Sequence, residues 1–505
     1  MEFIKKNKEL LLYASVIIMA LFLRIFMLGN QNLWHDEAIT YDQIKNGNII
    51  NIYKTVRSET SHLGPLFHIT THLISKFFGY SEWSLRILSA IYGTVSVIFI
   101  YLISKELFNR NIALLSSVLL SLSPIHIWVS QDARMYSLWI MLTLITFYIF
   151  IKILSQNKIK YWILFTIFAS LSLWSYTNSI FFYCGLGLFL LINIKKHTKT
   201  FQYFILSMFL TALTFLPILM SFFRENHTIG SARDGSIFDL AYAYYVFNVG
   251  YTFGPSPDKI RFLLDEYGFN SVWIILNNYG IILIPLMIIF LFISVYACYM
   301  VFRKKNEENY QIIFLNLVIP PLLIFSVAYF SKSISFNVRY LFCSLPFYYI
   351  FISIGIDNFP YKIKTFSIAF VIIISFISLN NYYFNPEYAK INISSVVQYL
   401  NKNMTKNDSA IILHEDKRLW GYYDKGGGIS KYYVSATNGK NSSLLDKSLT
   451  HIRGANRIFY VKTIRSHEYN KQEVKKLENY VKNNFLEIDN YIYIPKVNIY
   501  IYGRK

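Results

Sequence analysis

The stretch ELLLYASVIIMALFLRIFMLGNQNLWHDEAITYDQI, residues 9–44, decides how the rest of the chain is read. Its first half, 9–28, is an apolar run of the ~20 residues that cross a bilayer as a helix. Just past it stand two adjacent carboxylates, Asp36 and Glu37. Ionisable groups so close to lipid are costly and usually mark function. Trp34 suits an anchor at the membrane interface. Lys5, Lys6 and Lys8 precede the run and no small-residue cleavage site follows it, so it is expected to be a retained first span rather than a removed signal peptide.

Further apolar runs follow at 84–107, 111–130, 135–154, 159–177, 179–195, 202–223, 279–302, 311–330, 338–357 and 363–380. The expectation is a polytopic α-helical membrane protein with about eleven transmembrane helices. Composition agrees: 54% of the 505 residues are hydrophobic and 15% charged, against about 25% charged in soluble domains. The segment 64–79 reads as a short interfacial helix, and the Tyr-rich 240–252 also suits the interface.

The formal net charge is +20. Much of it lies in short loops between apolar runs, which speaks for topology and against nucleic acid. With Lys5, Lys6 and Lys8 in the cytoplasm, every second loop is basic: Lys105 and Arg110, Lys158 and Lys160, Lys195, Lys196 and Lys199, Arg303 to Lys305, Lys362 and Lys364. The same register puts Asp36-Glu37, the cluster SQDARMYSL (130–138), the 224–278 loop and FNVRYL (336–341) outside. Cys184, Cys298 and Cys343 all lie in apolar runs, so neither a disulfide framework nor a CxxC metal motif is available.

Past residue 385 the apolar runs shorten to strand length, at 409–414, 457–462 and near the end, with a Gly-rich loop from Asp424 to Gly428 and an amphipathic helical stretch at 471–484. The expected organisation is a transmembrane domain over 1–384 and a small extracytoplasmic soluble α/β domain over 385–505.

Asp36 within hydrogen-bond reach of an acceptor hydroxyl is a candidate general base. Glu37 is positioned to orient it, raise its pKa or hold a cation. The bland alternative is an acidic loop capping a short helix that begins near Ala38. Arg134 is suited to a phosphate ester, because its fork donates two parallel bonds. Tyr136 and Gln131 can add hydrogen bonds; pairing of Arg134 with Asp132 is the alternative. Arg339-Tyr340 carries the same phosphate argument. Arg86 is expected to be structural, paired with Glu82 one turn earlier. His62 and His68 flank GPLF and read as hydrogen-bonding groups, with a divalent cation left open because no metal-ligand spacing is visible.

Together LWHDEAIT (33–40), GPLFHITTHLISKFFG (64–79), SEWSLRILSAIYGTVSVIFIYLISKELF (81–108), SPIHIWVSQDARMYSL (123–138) and NVRYLFCSLP (337–346) resemble the GT-C superfamily of membrane glycosyltransferases. The resemblance points to the branch of protein O-mannosyltransferases and lipid A aminoarabinose transferases, the glycosyltransferase family 39-like proteins. It implies a sugar donor on a polyprenyl or dolichyl phosphate, presented from the outer leaflet. It implies transfer with inversion to a hydroxyl on a protein, lipid or glycan. In these terms Asp36 is the general base and Glu37 orients it or binds the acceptor. Arg134 and Arg339, with Tyr136 and Tyr340, hold the lipid phosphate, while Gln131, Asp132, His62 and His68 contact donor or acceptor.

The chain departs from the family pattern in two places: Asp132 stands where many relatives have Glu, and Leu63-Gly64-Pro65 replaces His-Pro-Pro. The tail lacks the β-trefoil pattern of the eukaryotic mannosyltransferases, which points to a bacterial or archaeal plasma membrane. A pyrophosphate-linked oligosaccharide transferase or ligase is the rival enzyme; it calls for more metal ligands in the 224–278 loop, which offers Glu225, His227, Asp234 and Asp239 but no recognisable sequon-reading motif. A lipid-linked sugar transporter predicts ionisable groups at mid-span, whereas here they cluster at span ends.

Overall fold

The computed structural model describes residues 8–45, 47–59, 63–224, 236–331, 336–413, 417–424, 430–434, 452, 454–463, 471–494 and 496–504. They form two compact units. The first takes in Met1–Leu28, Gln43–Tyr251 and Ile284–Leu379; the second takes in Gly29–Asp42, Thr252–Leu283 and Asn380–Lys505.

The helices are, in chain order, α1 (Lys8–Ile25), α2 (His35–Ile44), α3 (Ile49–Glu59), α4 (Leu66–Phe78), α5 (Glu82–Leu107), α6 (Arg110–Leu122), α7 (Pro124–Ser130), α8 (Tyr136–Gln156), α9 (Ile159–Ser175) and α10 (Ser179–Ile192). They continue as α11 (Ile194–Arg224), α12 (Ile237–Val249), α13 (Pro257–Tyr267), α14 (Ser271–Arg303), α15 (Glu308–Ser331), α16 (Leu345–Asn358), α17 (Tyr361–Phe384), α18 (Ile393–Asn403), α19 (Lys417–Tyr423) and α20 (Lys471–Asn484).

The expected spans fall on helix, except that the one at 338–357 is α-helical only from Leu345, its first residues forming a short turn at Val338–Leu341. Among the described residues six helices, α5, α8, α11, α14, α15 and α17, are long and apolar enough to cross a membrane, and α6 with α7 makes a seventh if the bent pair is one span. The protein is thus a multi-pass membrane protein. Two further segments differ from expectation. Helix α14 begins at Ser271 rather than near 279, because Asn277-Asn278-Tyr279 is carried inside the helix. The 240–252 segment is a regular helix, α12, started by a Ser236/Asp239 capping box.

In the first unit, α8 is the most enclosed span, and Trp139, Phe147 and Phe150 are fully buried. The lipid-facing helices expose apolar side chains instead, as at Ile281 of α14 and Phe330 of α15. Loops expected on one face do meet at one end of this unit. Glu9 pairs with Lys105 at 2.6 Å, Lys152 with Glu106 at 2.8 Å, Lys196 with Glu308 at 2.8 Å, and Asn309 donates to Leu107 O at 2.7 Å.

A break in the span at 110–130 shapes the other end. Ser123 caps α7 and Pro124 opens it, bending the pair by 60°. Pro124 has no N–H for the carbonyl of Leu120 four residues back. Arg24, fully buried in α1, supplies the missing donors: Nη2 to Leu120 O at 3.2 Å and Nη1 to Ser121 O at 3.3 Å. His126 Nδ1 lies 2.7 Å from the same guanidinium. Gly93 of α5 permits the close approach, since a Cβ there would stand 2.0 Å from Ser130 Oγ. Arg86 donates to Leu28 O at 3.1 Å, tying α5 to the chain just past α1.

In the second unit, residues 409–504 build a five-stranded sheet of β1 (Ser409–Leu413), β2 (Ser430–Val434), β3 (Arg457–Thr463), β4 (Phe485–Ile494) and β5 (Val497–Arg504), in the order β2-β1-β3-β5-β4. Strand β1 runs parallel to β2 and β3, while β5 is antiparallel to β3 and β4. Ile411, Leu413, Ile458, Tyr460, Leu477 and Val481 form its core, so α20 packs on the sheet as the amphipathic stretch required.

Candidate functional site

In the first unit the turn 131–135 between α7 and α8, the short turn at 338–341 and the end of α9 converge. Gln131 holds the first of these in place: its Nε2 donates to Leu23 O, Arg24 O and Phe26 O at 3.2, 3.0 and 2.8 Å. That amide nitrogen therefore serves the backbone around α1. Asp132 is buried at 0% exposure and Arg134 at 6%. Tyr136 is the first residue of α8, and the guanidinium of Arg339 lies 5.9 Å from its ring centroid. Asn337 aims that guanidinium, its Oδ1 accepting from Arg339 N at 3.0 Å and Nε at 3.2 Å.

The ring of Tyr176 joins the group, edge to face with Tyr136 at 6.0 Å and 6.3 Å from Tyr340. Both Arg134 and Arg339 act electrostatically on its hydroxyl. Burial pushes the Tyr251 phenol up to about 12 against the pull of Arg339, which keeps it a neutral donor. Tyr176 and Tyr251 were not foreseen; each sits at the end of an aromatic-rich apolar segment, where one Tyr looks like any other.

His68 of α4 is 1% exposed, and among the described residues neither ring nitrogen meets a partner in full hydrogen-bonding geometry, the Gly64 backbone being the group beside it. Burial, then the charge of Arg134, push its pKa down to about 3, with the Gly64 backbone opposing. The ring is a neutral hydrogen-bonding group and not a cation. Gly64 explains why this chain has no proline there: a Cβ would stand 1.8 Å from Trp174 O. Leu63 bridges to Tyr176 beside it, and Arg57 donates to Leu63 O and Ile218 O, both at 2.9 Å. His62 lies outside the described residues, as do Glu225, His227 and Asp234. Asp239 caps α12, accepting from Ser236 N at 2.8 Å.

Asp36 and Glu37 belong to the second unit, in the first turn of α2. That helix starts at His35 rather than Ala38. Glu37 is fully buried and accepts from Trp34 N at 3.2 Å, the reach-back of a capping residue. It also meets Lys390 Nζ at 2.9 Å. Asp36 is half-buried, so burial differs between the two carboxylates, Glu37 being the fully enclosed one. Among the described residues no group of three His, Cys, Asp or Glu side chains is placed to hold a metal ion.

The helical array and its small sheet match solved membrane proteins along nearly the whole chain. ArnT from Cupriavidus metallidurans superposes in its apo state with a TM-score of 0.60 at 10% identity over 98% of both chains, and its form bound to undecaprenyl phosphate with 0.57 at 9% identity over the same shares. The chain thus shares the fold of these polytopic membrane proteins. Residues 62–220 of the chain match the family described as dolichyl-phosphate-mannose-protein mannosyltransferase. It is 22% identical over 258 residues to YkcB of Bacillus subtilis (strain 168), 48% of this chain and 35% of that protein. It is 28% identical over 170 residues to the undecaprenyl phosphate-alpha-4-amino-4-deoxy-L-arabinose arabinosyl transferase of Wigglesworthia glossinidia brevipalpis, 31% of this chain and 29% of that protein. These matches thus span about a third of the length of either relative.

Proposed function

We propose that this chain is a glycosyltransferase that moves a hexosyl or pentosyl group from a polyprenyl or dolichyl monophosphate to an acceptor hydroxyl, with inversion. The observation that carries the reading is that the Arg339 guanidinium lies against the ring of Tyr136, two residues from Arg134, so that segments some two hundred residues apart bring two arginines to one place. The acceptor oxygen attacks the anomeric carbon and its proton passes to Asp36. The bond from that carbon to the phosphate oxygen breaks, and its electron pair leaves with the lipid phosphate. Charge develops on phosphate, where fixed cations lower the barrier. Tyr136 lies against the Arg339 guanidinium, Tyr340 joins the ring cluster through Tyr176, and His68 contributes a neutral hydrogen bond.

The domains are proposed as 1–384 for the membrane catalytic part and 385–505 for an extracytoplasmic α/β part. The N-terminus is cytoplasmic in this reading, with the reacting groups outside in a cell membrane. The bonded ring of basic loops at one end of the first unit supports that orientation. The name of the Wigglesworthia relative and the undecaprenyl phosphate bound to ArnT support a lipid-phosphate donor. The acceptor is a protein, lipid or glycan. No step here uses a metal.

The test is transfer from radiolabelled polyprenyl-phosphate sugars, across a panel of sugars, in membranes holding wild-type or Asp36→Asn protein. General-base loss predicts a fall of about 100-fold or more in kcat with donor binding kept. Consumption of a pyrophosphate-linked glycan instead would replace this reading with an oligosaccharide transferase. Lipid-sugar translocation that survives Asp36→Asn, with no transfer, would replace it with a transporter.

A further inference from the structure

The tail beyond α17 grips the segment that carries the two carboxylates. Within the second unit Ser394 N donates to Asn32 Oδ1 at 2.7 Å, and Leu33 N donates to Tyr423 Oη at 2.7 Å. Tyr41 meets Tyr422 edge to face at 4.7 Å. Lys390 comes from the same tail. Its side chain is 11% exposed, its Nζ lies 2.9 Å from Glu37 Oε2 and 6.0 Å from the ring centroid of Trp34, and Glu37 itself is 0% exposed.

We propose that Lys390 is a positioning residue of the transferase: it neutralises buried Glu37 and thereby fixes the first turn of α2 that presents Asp36. The inference rests on the function proposed above. Three physical steps lead to it. A carboxylate taken out of water without a counter-ion is strongly unfavourable, so Glu37 in this position needs a cation. Glu37 also closes the helix start through Trp34 N, so losing the ion pair loosens the turn that aims Asp36. An unneutralised Glu37 beside Asp36 disfavours a second negative charge there, which raises the pKa of Asp36. The charged and titratable groups on α2, on α19 and at Lys390 are His35, Asp36, Glu37, Tyr41, Asp42, Lys390, Lys417, Arg418, Tyr422 and Tyr423, and Lys390 is a cation that meets Glu37.

The experiment compares wild type, Lys390→Met, Lys390→Arg and the double variant Lys390→Met/Glu37→Gln in full-length protein, measuring donor binding, kcat and the acid limb of kcat/KM. Lys390→Met should lower kcat by about 100-fold, the cost of a misaimed reacting group, with donor binding little changed. Its acid limb should move to higher pH by about one unit, because Asp36 then holds its proton longer. Lys390→Arg should keep the acid limb of wild type. The double variant, which buries no unpaired charge, should fold as wild type and return the limb toward the wild-type position. A wild-type kcat and limb in Lys390→Met would overturn the proposal. So would a slow Lys390→Met whose limb is unmoved, or a double variant whose limb stays displaced, for both describe a scaffold residue. A wild type that transfers nothing from any lipid monophosphate overturns the parent function and this inference with it, and is told apart because the failure precedes any substitution.

Discussion

Arg339 lies 5.9 Å from the ring centroid of Tyr136, and the carboxamide oxygen of Asn337 accepts from its Nε. A planar guanidinium held by a ring and an aimed bond presents its remaining N–H groups in a fixed fork. Lysine keeps the charge and loses the fork. Arg339→Lys should therefore weaken binding of a polyprenyl phosphate by about tenfold, roughly 1.4 kcal/mol, and Asn337→Ala by less. Binding titrations in detergent check this. Equal affinity in Arg339→Lys and wild type would show that charge alone matters there.

Arg24 is the second case of a cation placed by backbone need. It donates to two carbonyls at the Pro124 break, in a region where lipid offers no substitute donor. Arg24→Met should cost about 3 kcal/mol, the upper range for hydrogen bonds to a charged group. His126→Phe should cost less, because the carbonyl bonds remain. Thermal unfolding of the two variants in the same detergent ranks them, and the reverse order would make the His126 contact the principal one.

Gly64 tests the packing at the other side of the arginine–tyrosine group. A methyl there meets Trp174 O at 1.8 Å, and that atom is backbone, so relief requires main-chain movement. Overpacking of this kind costs about 1–3 kcal/mol. Gly64→Ala should lower the unfolding temperature and weaken donor binding, since Leu63 and Tyr176 move with it. Unchanged values of both would mean that the loop yields without strain.

The sequence showed the spans because lipid demands long apolar runs, and it offered Asp36, Glu37, Arg134 and Arg339 as candidates because charge at a span end stands out. It did not show Lys390 as a partner of Glu37, since 353 positions separate them and a tail lysine looks like solvated surface. Arg24 was visible as a lone cation within 9–28 and could have been singled out by the cost of burying it. The break it serves follows from Pro124, yet which side chain repairs a break is a tertiary fact. In the tail, β1, β3 and the helix over 471–484 were legible from their periods. Strand β2 and the helices α18 and α19 were not, because SKYYV, ISSVVQYLNKN and KRLWGYY are short and mixed in character.

Asp408 gives the tail a pH dependence of defined sign. Burial of the carboxyl opposes its charge, but the bonds from Arg457 and from Thr405 outweigh burial and hold its pKa below the usual range. Arg457 Nη2 and Thr405 N each reach Asp408 Oδ2 at 2.7 Å, and these bonds join the start of β1 to the start of β3. A folded pKa below the unfolded value of about 3.9 contributes stability that is complete above that value and is lost as pH falls through the folded one. Asp408→Asn should thus cost about 2 kcal/mol at neutral pH, read as lost hydrogen-exchange protection of the β1 and β3 amides in the full-length chain. The gap between variant and wild type should narrow below about pH 4, where the wild-type carboxyl also takes up a proton. A gap of the same size at both pH values would mean that the shape of the side chain, and not its charge, joins the two strands.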